Sequence, residues 1–152
     1  PMTGFVAEGV ESLSATPYTT ITVPGTMIGG IICGAYNSFE DSLYVNTSWG
    51  PTRFPLMAPD LVAPGVNVGG YFPFGFGTMS GTSAATAITT GAGALLLQWG
   101  AVEGNSVSIS TYEIRAFLIR GCTRNPNITY PNYQWGYGSL NLLQTFIAVR
   151  NQ

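Results

Sequence analysis

Gly77-Thr-Met-Ser-Gly-Thr-Ser83-Ala-Ala-Thr-Ala-Ile-Thr-Thr-Gly91-Ala-Gly-Ala-Leu-Leu-Leu-Gln-Trp99 sets a serine at the mouth of a run of small residues that closes on Leu95, Leu96 and Leu97. The run predicts a helix starting near Thr82. Each interior glycine costs such a helix roughly 0.5–1 kcal/mol relative to alanine, and that cost points to other backbone packed close against it. Small residues on every side describe a central helix enclosed by a sheet or by other helices. A serine in its first turn lies where unpaired N–H groups and the positive end of the helix dipole face outward, a setting suited to a developing oxyanion. Taken alone, the helix favours a plainer role in which Thr82 or Ser83 caps it.

A serine hydroxyl attacks a carbonyl only when a neighbouring group takes its proton. The chain has no histidine and no lysine, and its basic residues are Arg53, Arg115, Arg120, Arg124 and Arg150. A guanidinium stays protonated and cannot serve as a base. The carboxylates are Glu8, Glu11, Glu40, Asp41, Asp60, Glu103 and Glu113, none placed by sequence beside Ser83. If Ser83 is catalytic, the base is expected from a segment outside this chain.

The wider pattern reverses the preference for a cap. Pro59-Asp-Leu-Val-Ala-Pro-Gly-Val66, followed by Ser80-Gly-Thr-Ser83-Ala-Ala and then Gly91, resembles the subtilisin-like serine peptidases around their nucleophile. Ile28-Gly-Gly-Ile-Ile-Cys-Gly-Ala-Tyr-Asn37 is similar to a buried strand of that family, and Trp135-Gly-Tyr-Gly-Ser-Leu-Asn-Leu142 to the turn before its last helix. Thr19-Thr-Ile-Thr-Val-Pro-Gly-Thr26, Leu118-Ile-Arg-Gly121 and Tyr130-Pro-Asn132 resemble the clostridial Csp-type germination proteases within it. Ala87 and Ile88 stand where many members carry proline and histidine, Ala84 where methionine is usual, and Ser80 where asparagine is usual. These departures leave the nucleophile in place and alter the shape of the pocket around it.

The resemblance implies a three-layer α/β subtilisin-like fold with a mostly parallel sheet, of which residues 16–152 are the C-terminal part. Residues 1–15 would be the end of an insertion or a cleaved N-terminal arm. It implies Ser83 as nucleophile and, through its own N–H, as oxyanion donor, with Ser80, Gly81 and Thr82 forming the turn that meets the substrate. The implied partners are an N-terminal segment of the same peptidase carrying the aspartate and histidine, and a protein or peptide substrate. No match to the family's oxyanion asparagine stands in residues 1–26, so it too is expected upstream. No cofactor and no metal are implied. A Csp-type enzyme would be secreted or spore-associated in a bacterium, acting on the proenzyme of a spore-cortex hydrolase. The competing class is an inactive pseudopeptidase that keeps the fold as a scaffold or receptor.

Composition agrees with a piece of a larger core: charged residues are 8% of the chain and hydrophobic ones 45%, against about a quarter charged in average soluble domains. A net charge of −2 without a basic cluster argues against nucleic acid. No apolar run approaches the roughly 20 residues that span a bilayer. No histidine and no spaced acidic cluster offer a metal site. Cys33 and Cys122 are expected to be two buried free thiols.

Among the elements, residues 17–23 alternate like an edge strand, and residues 28–36 read as a central parallel strand covered on both faces. Residues 37–53 read as a turn-rich hairpin or loop. The glycine- and aromatic-rich residues 69–77 read as an irregular packed loop in preference to a wall that touches substrate. A helix is predicted over residues 111–119, with Ser110 or Thr111 as cap and Gly121 as stop. A last helix is predicted over residues 140–149, capped by Ser139. Asp60 reads as a turn residue bonded to its own backbone.

Overall fold

The apolar run after Gly30 turns extended at Cys33 and forms strand β1, Cys33–Asn37, in a computed structural model that describes residues 16–54 and 56–150. The arm expected at residues 1–15 lies outside the described residues. The remaining elements are β2 (Ser42–Leu43), β3 (Leu61–Pro64), β4 (Val68–Phe72), β5 (Gly75–Met79), α1 (Thr82–Leu97), α2 (Thr111–Gly121) and α3 (Leu142–Arg150). A π-helical turn, Gln98–Val102, extends α1.

β1 is the central strand of a sheet ordered β2-β1-β3. It runs parallel to β3 with Cys33 opposite Leu61 and Tyr36 opposite Pro64. The turn-rich stretch after it folds back as the expected hairpin, pairing Tyr36 with Leu43 and Asn37 with Ser42. β1 starts later than the sequence suggested because Ile32 is held by Asp60: the Asp60 N–H donates to the Ile32 carbonyl at 2.8 Å, and the Ile32 N–H donates to Asp60 Oδ2 at 2.8 Å.

α1, α2 and β3 meet in one apolar cluster of Leu61, Ala92, Leu96, Ile114, Leu118 and Cys122. A second, of Ala35, Ala63 and Ala85, lets α1 lie close on the sheet. Leu61, Leu96 and Leu118 are fully buried, each contributing about 1.5–3 kcal/mol by transfer. α2 starts as predicted, with Ser110 and Glu113 closing a reciprocal capping box. The fold is α/β with a parallel ladder at its centre, as expected.

α1 is covered on one flank among the described residues: Ala85, Ala92 and Leu96 are buried under the sheet and α2, whereas Thr86, Thr90, Gly91, Ala94 and Leu97 are exposed. Four readings need correction. Residues 17–23 form no strand: turns at Tyr18–Thr19 and from Val23 flank an irregular stretch. Thr20 Oγ1 donates to the Pro17 carbonyl at 2.7 Å and Thr19 takes a φ of 59°, so Thr20 closes a turn of the kind Ser and Thr hydroxyls favour. Residues 69–77 form the regular hairpin β4–β5, with Val68 opposite Met79 and Phe72 opposite Gly75. The last helix starts at Leu142 and is capped by Asn141, whose Oδ1 accepts from the Gln144 N–H at 3.0 Å. Ser139 cannot cap it, since its backbone exchanges hydrogen bonds of 2.9 and 3.0 Å with Thr123. Asp60, finally, is buried and ion-paired with Arg115, its Oδ1 2.5 Å from Arg115 Nη2.

Candidate active site

The two motif strings meet in space. β3 delivers Gly65 to the end of the sheet, where its N–H donates to the Tyr36 carbonyl at 2.9 Å and its own carbonyl accepts from the Gly81 N–H at 2.7 Å. A side chain at Gly65 would not fit, because a Cβ there would lie 2.6 Å from Ala35 Cβ and 2.9 Å from the Gly81 carbonyl oxygen. Gly81 has φ 153° and ψ 165°, backbone that only glycine takes without strain. One glycine allows the approach and the other allows the turn.

Ser80 braces the same turn from the side, its Oγ accepting from the Asn67 N–H at 2.8 Å. Thr82 opens α1 and lines a cavity of ≈ 380 Å³ together with Ile31, Ile32, Pro59 and Thr86. Ser83 follows, exposed, in the first turn. The capping role is not realised, because Gly81 holds the N-cap position and no side chain closes the first turn. The amides of Ala84 and Ala85 both reach the Gly81 carbonyl, at 3.1 and 3.4 Å, while helix geometry leaves those of Thr82 and Ser83 without an intrahelical acceptor. No acidic side chain stands in that turn. A bare, positively polarised helix end beside an exposed hydroxyl can donate to an oxyanion formed on that hydroxyl's carbonyl partner.

The thiols are poor competitors for the nucleophile. Burial pushes Cys33 up to about 11, against a hydrogen bond with Thr89, and pushes Cys122 up to about 12. Both are free thiols, Cys122 buried and Cys33 partly buried where two buried thiols were expected, and a thiol raised in this way holds little of the thiolate that attacks.

Sequence reasoning placed Ser80, Gly81, Thr82 and Ser83, and the structure brings them together in one turn. It missed Asp60. Each Asp60 oxygen is spoken for, Oδ2 by the Ile32 N–H and Oδ1 by Arg115, 55 positions along the chain. Nothing local to Pro59-Asp60-Leu61 signals that pair, although a single carboxylate directly before an apolar strand was a reason to look for a distant cation.

Comparison with known proteins follows this geometry. The family model described as Subtilase family matches residues 5–138. The CspB protease of Clostridium perfringens is similar at 36% identity and a TM-score of 0.87, over 92% of this chain and 31% of that one. The self-cleaved protease domain of PatA superposes with a TM-score of 0.71 at 24% identity, over 89% of this chain and 47% of that one. The prenylagaramide maturation protease PagA does so with a TM-score of 0.71 at 24% identity, over 88% of this chain and 47% of that one. This chain thus spans less than half of the length of these structures, from 31% to 47%. No curated protein matches it.

Proposed function

The chain belongs to the subtilase family, and from that membership we propose that it carries the nucleophile of a serine endopeptidase that cleaves peptide bonds through an acyl-enzyme on Ser83. The observation that carries this reading is the first turn of α1, where an exposed Ser83 and its unpaired N–H are set by the Gly65–Gly81 contact. Ser83 Oγ attacks the scissile carbonyl, and the Ser83 N–H donates to the oxyanion that forms. The proton goes to a histidine oriented by an aspartate, both from an N-terminal segment of the same peptidase, since this chain holds neither histidine nor lysine. Ser80 and Gly81 hold the turn, and Thr82 faces the cavity in which substrate lies.

Two features support such a segment. The flank of α1 that carries Thr86, Thr90, Gly91 and Leu97 is uncovered among the described residues. β1 has β3 along its length on one side, while β2 reaches only Tyr36 and Asn37 on the other, so Cys33 and Gly34 keep an edge with no described strand beside it.

The test is reaction of the complete polypeptide, and of this chain alone, with a fluorophosphonate, followed by mass-spectrometric mapping. The expected label sits on Ser83 in the complete protein only and disappears in Ser83→Ala. Absence of label from both preparations would replace this reading with the pseudopeptidase.

A further inference from the structure

Residues 27–32 form a partition. On one face lies the ≈ 380 Å³ cavity that Thr82 lines, bounded by Met27, Ile31 and Ile32, with no charged side chain among the described residues of its wall. On the other face a cavity of ≈ 160 Å³ is lined by Met27, Gly29, Ile32, Asp60, Tyr112 and Arg115. The partition belongs to no strand or helix. What holds it comes from behind.

Asp60 clamps Ile32 on both sides of its peptide, since the Asp60 N–H takes the Ile32 carbonyl and Asp60 Oδ2 takes the Ile32 N–H. The first backbone pair of the β1–β3 ladder is Cys33 with Leu61, so the carboxylate carries the ladder one residue further, into the partition. Asp60 is 1% exposed, and a carboxylate so buried needs a counter-charge. Arg115 supplies it through one amino group, while its Nε is buried without a partner among the described residues. Tyr112, one turn earlier on α2, stands close over Gly29, where a Cβ would lie 3.0 Å from the Tyr112 hydroxyl. The Asp60 carboxylate in turn raises the Arg115 guanidinium above its ordinary value, so the cation persists at every working pH.

We propose that Arg115 is a positioning residue for the reaction at Ser83: acting through Asp60, it fixes residues 27–32 as the wall against which an uncharged substrate side chain lies beside Thr82. The proposal rests on the reading of Ser83 as nucleophile. Arg115 touches neither Ser83 nor the cavity that Thr82 lines, so loosening it should weaken the fit of an extended peptide and spare the chemistry of a small acylating reagent.

The experiment uses the complete peptidase and compares wild type with Arg115→Met and Arg115→Lys, reading kcat and KM on an apolar peptide substrate alongside the rate of Ser83 phosphonylation by a small fluorophosphonate. In Arg115→Met, KM is expected to rise about tenfold or more, with kcat and phosphonylation within about twofold of wild type. Because the Arg115 contact is single-point, lysine can replace it as a compact charge, and Arg115→Lys should bring KM back to within about threefold of wild type. If Arg115→Met does not fold, Asp60→Asn/Arg115→Met, which leaves no unpaired buried charge, is measured in its place with the same expected rise in KM. An unchanged KM in the folded variant would overturn the proposal. So would a parallel fall of kcat, phosphonylation and thermal midpoint that lysine does not rescue, because that pattern marks a purely structural role. A wild-type enzyme inert to the fluorophosphonate would overturn the nucleophile reading and this proposal with it, whereas a reactive wild type with an invariant KM would overturn this proposal alone.

Discussion

The two flanks of α1 are built from the same kinds of residue and meet opposite surroundings. Ala85, Ala92 and Leu96 lie against β1, β3 and α2, while Thr86, Thr90, Gly91 and Leu97 meet no described residue that covers them. The glycines show the contrast most sharply: a Cβ at Gly65, beneath the start of the helix, would strike Ala35 and Gly81, whereas a Cβ at Gly91 would find nothing within 4 Å among the described residues. Small residues in a helix record how near the neighbours come. On one flank those neighbours are β1, β3 and α2, and on the other none stands among the described residues.

The largest expected effect tests the packed flank against the open one. Leu96 is fully buried and Leu97 is 45% exposed, so Leu96→Ala should cost about 2–5 kcal/mol and Leu97→Ala well under half of that in this chain alone. Urea unfolding of both variants, in this chain and in the complete polypeptide, measures the difference. A partner seated on the open flank would raise the cost of Leu97→Ala in the complete polypeptide only.

Gly65→Ala probes the same contrast where the two motifs touch. Its Cβ would press on Ala35 Cβ and on the Gly81 carbonyl, neither of which can swing aside, and overpacking of this kind costs about 1–3 kcal/mol. The turn that aims Ser83 would shift with it, and misplacing a reacting group by about 1 Å costs on the order of 100-fold in rate. Phosphonylation of Ser83 is therefore expected to fall much further than stability does. A variant that loses stability and keeps its labelling rate would show that the Gly65–Gly81 contact does not set the nucleophile.

Much of this was legible in the sequence because the deciding signals are local. Ser80-Gly81-Thr82-Ser83 needs only its own turn, and Ser110 with Glu113 closes a box three residues wide. Asp60 was misread because its cation is on α2 and its backbone partner is Ile32, and no window along the chain contains all of them. The β4–β5 hairpin was missed for another reason. Gly69, Gly70 and Gly77 hide the alternation of a strand, yet Pro73 and Phe74 between Phe72 and Gly75, with Gly75 at φ 121°, carry a turn signal that could have found it. Ser139 was read as the cap although Asn141 is a residue type that suits the position as well, and only the pairing of Ser139 with Thr123 decides between them.

The helix starts offer a second contrast. α1 begins with no capping side chain and no acid in its first turn, while α2 begins with the full box. Ser110→Ala should cost about 1 kcal/mol, with no change in Ser83 phosphonylation. Hydrogen bonds from the Ser110 backbone and hydroxyl lower the Glu113 carboxyl below its ordinary 4.5. A carboxyl lowered on folding stabilises above its unfolded value and loses that contribution as pH falls through the lowered one. The gap between wild type and Ser110→Ala in thermal midpoint should therefore be full at neutral pH and narrow below pH 4.5. A gap that holds constant in acid would show that Glu113 adds nothing to the cap.

Gly91→Ala is the smallest change and the one whose sign depends on the comparison. In a helix interior alanine is favoured over glycine by about 0.5–1 kcal/mol, and at Gly91 the added methyl would enter open space among the described residues. In this chain alone the substitution should therefore stabilise α1, and a higher urea midpoint checks it. In the complete polypeptide the sign should reverse, because a glycine kept on an exposed helix against that preference is explained by backbone lying close on it, and a methyl there would hold the two apart. Stabilisation in both preparations would mean that nothing packs on this flank, and the N-terminal segment proposed to supply the histidine would then have to reach Ser83 by a route that leaves Gly91 bare.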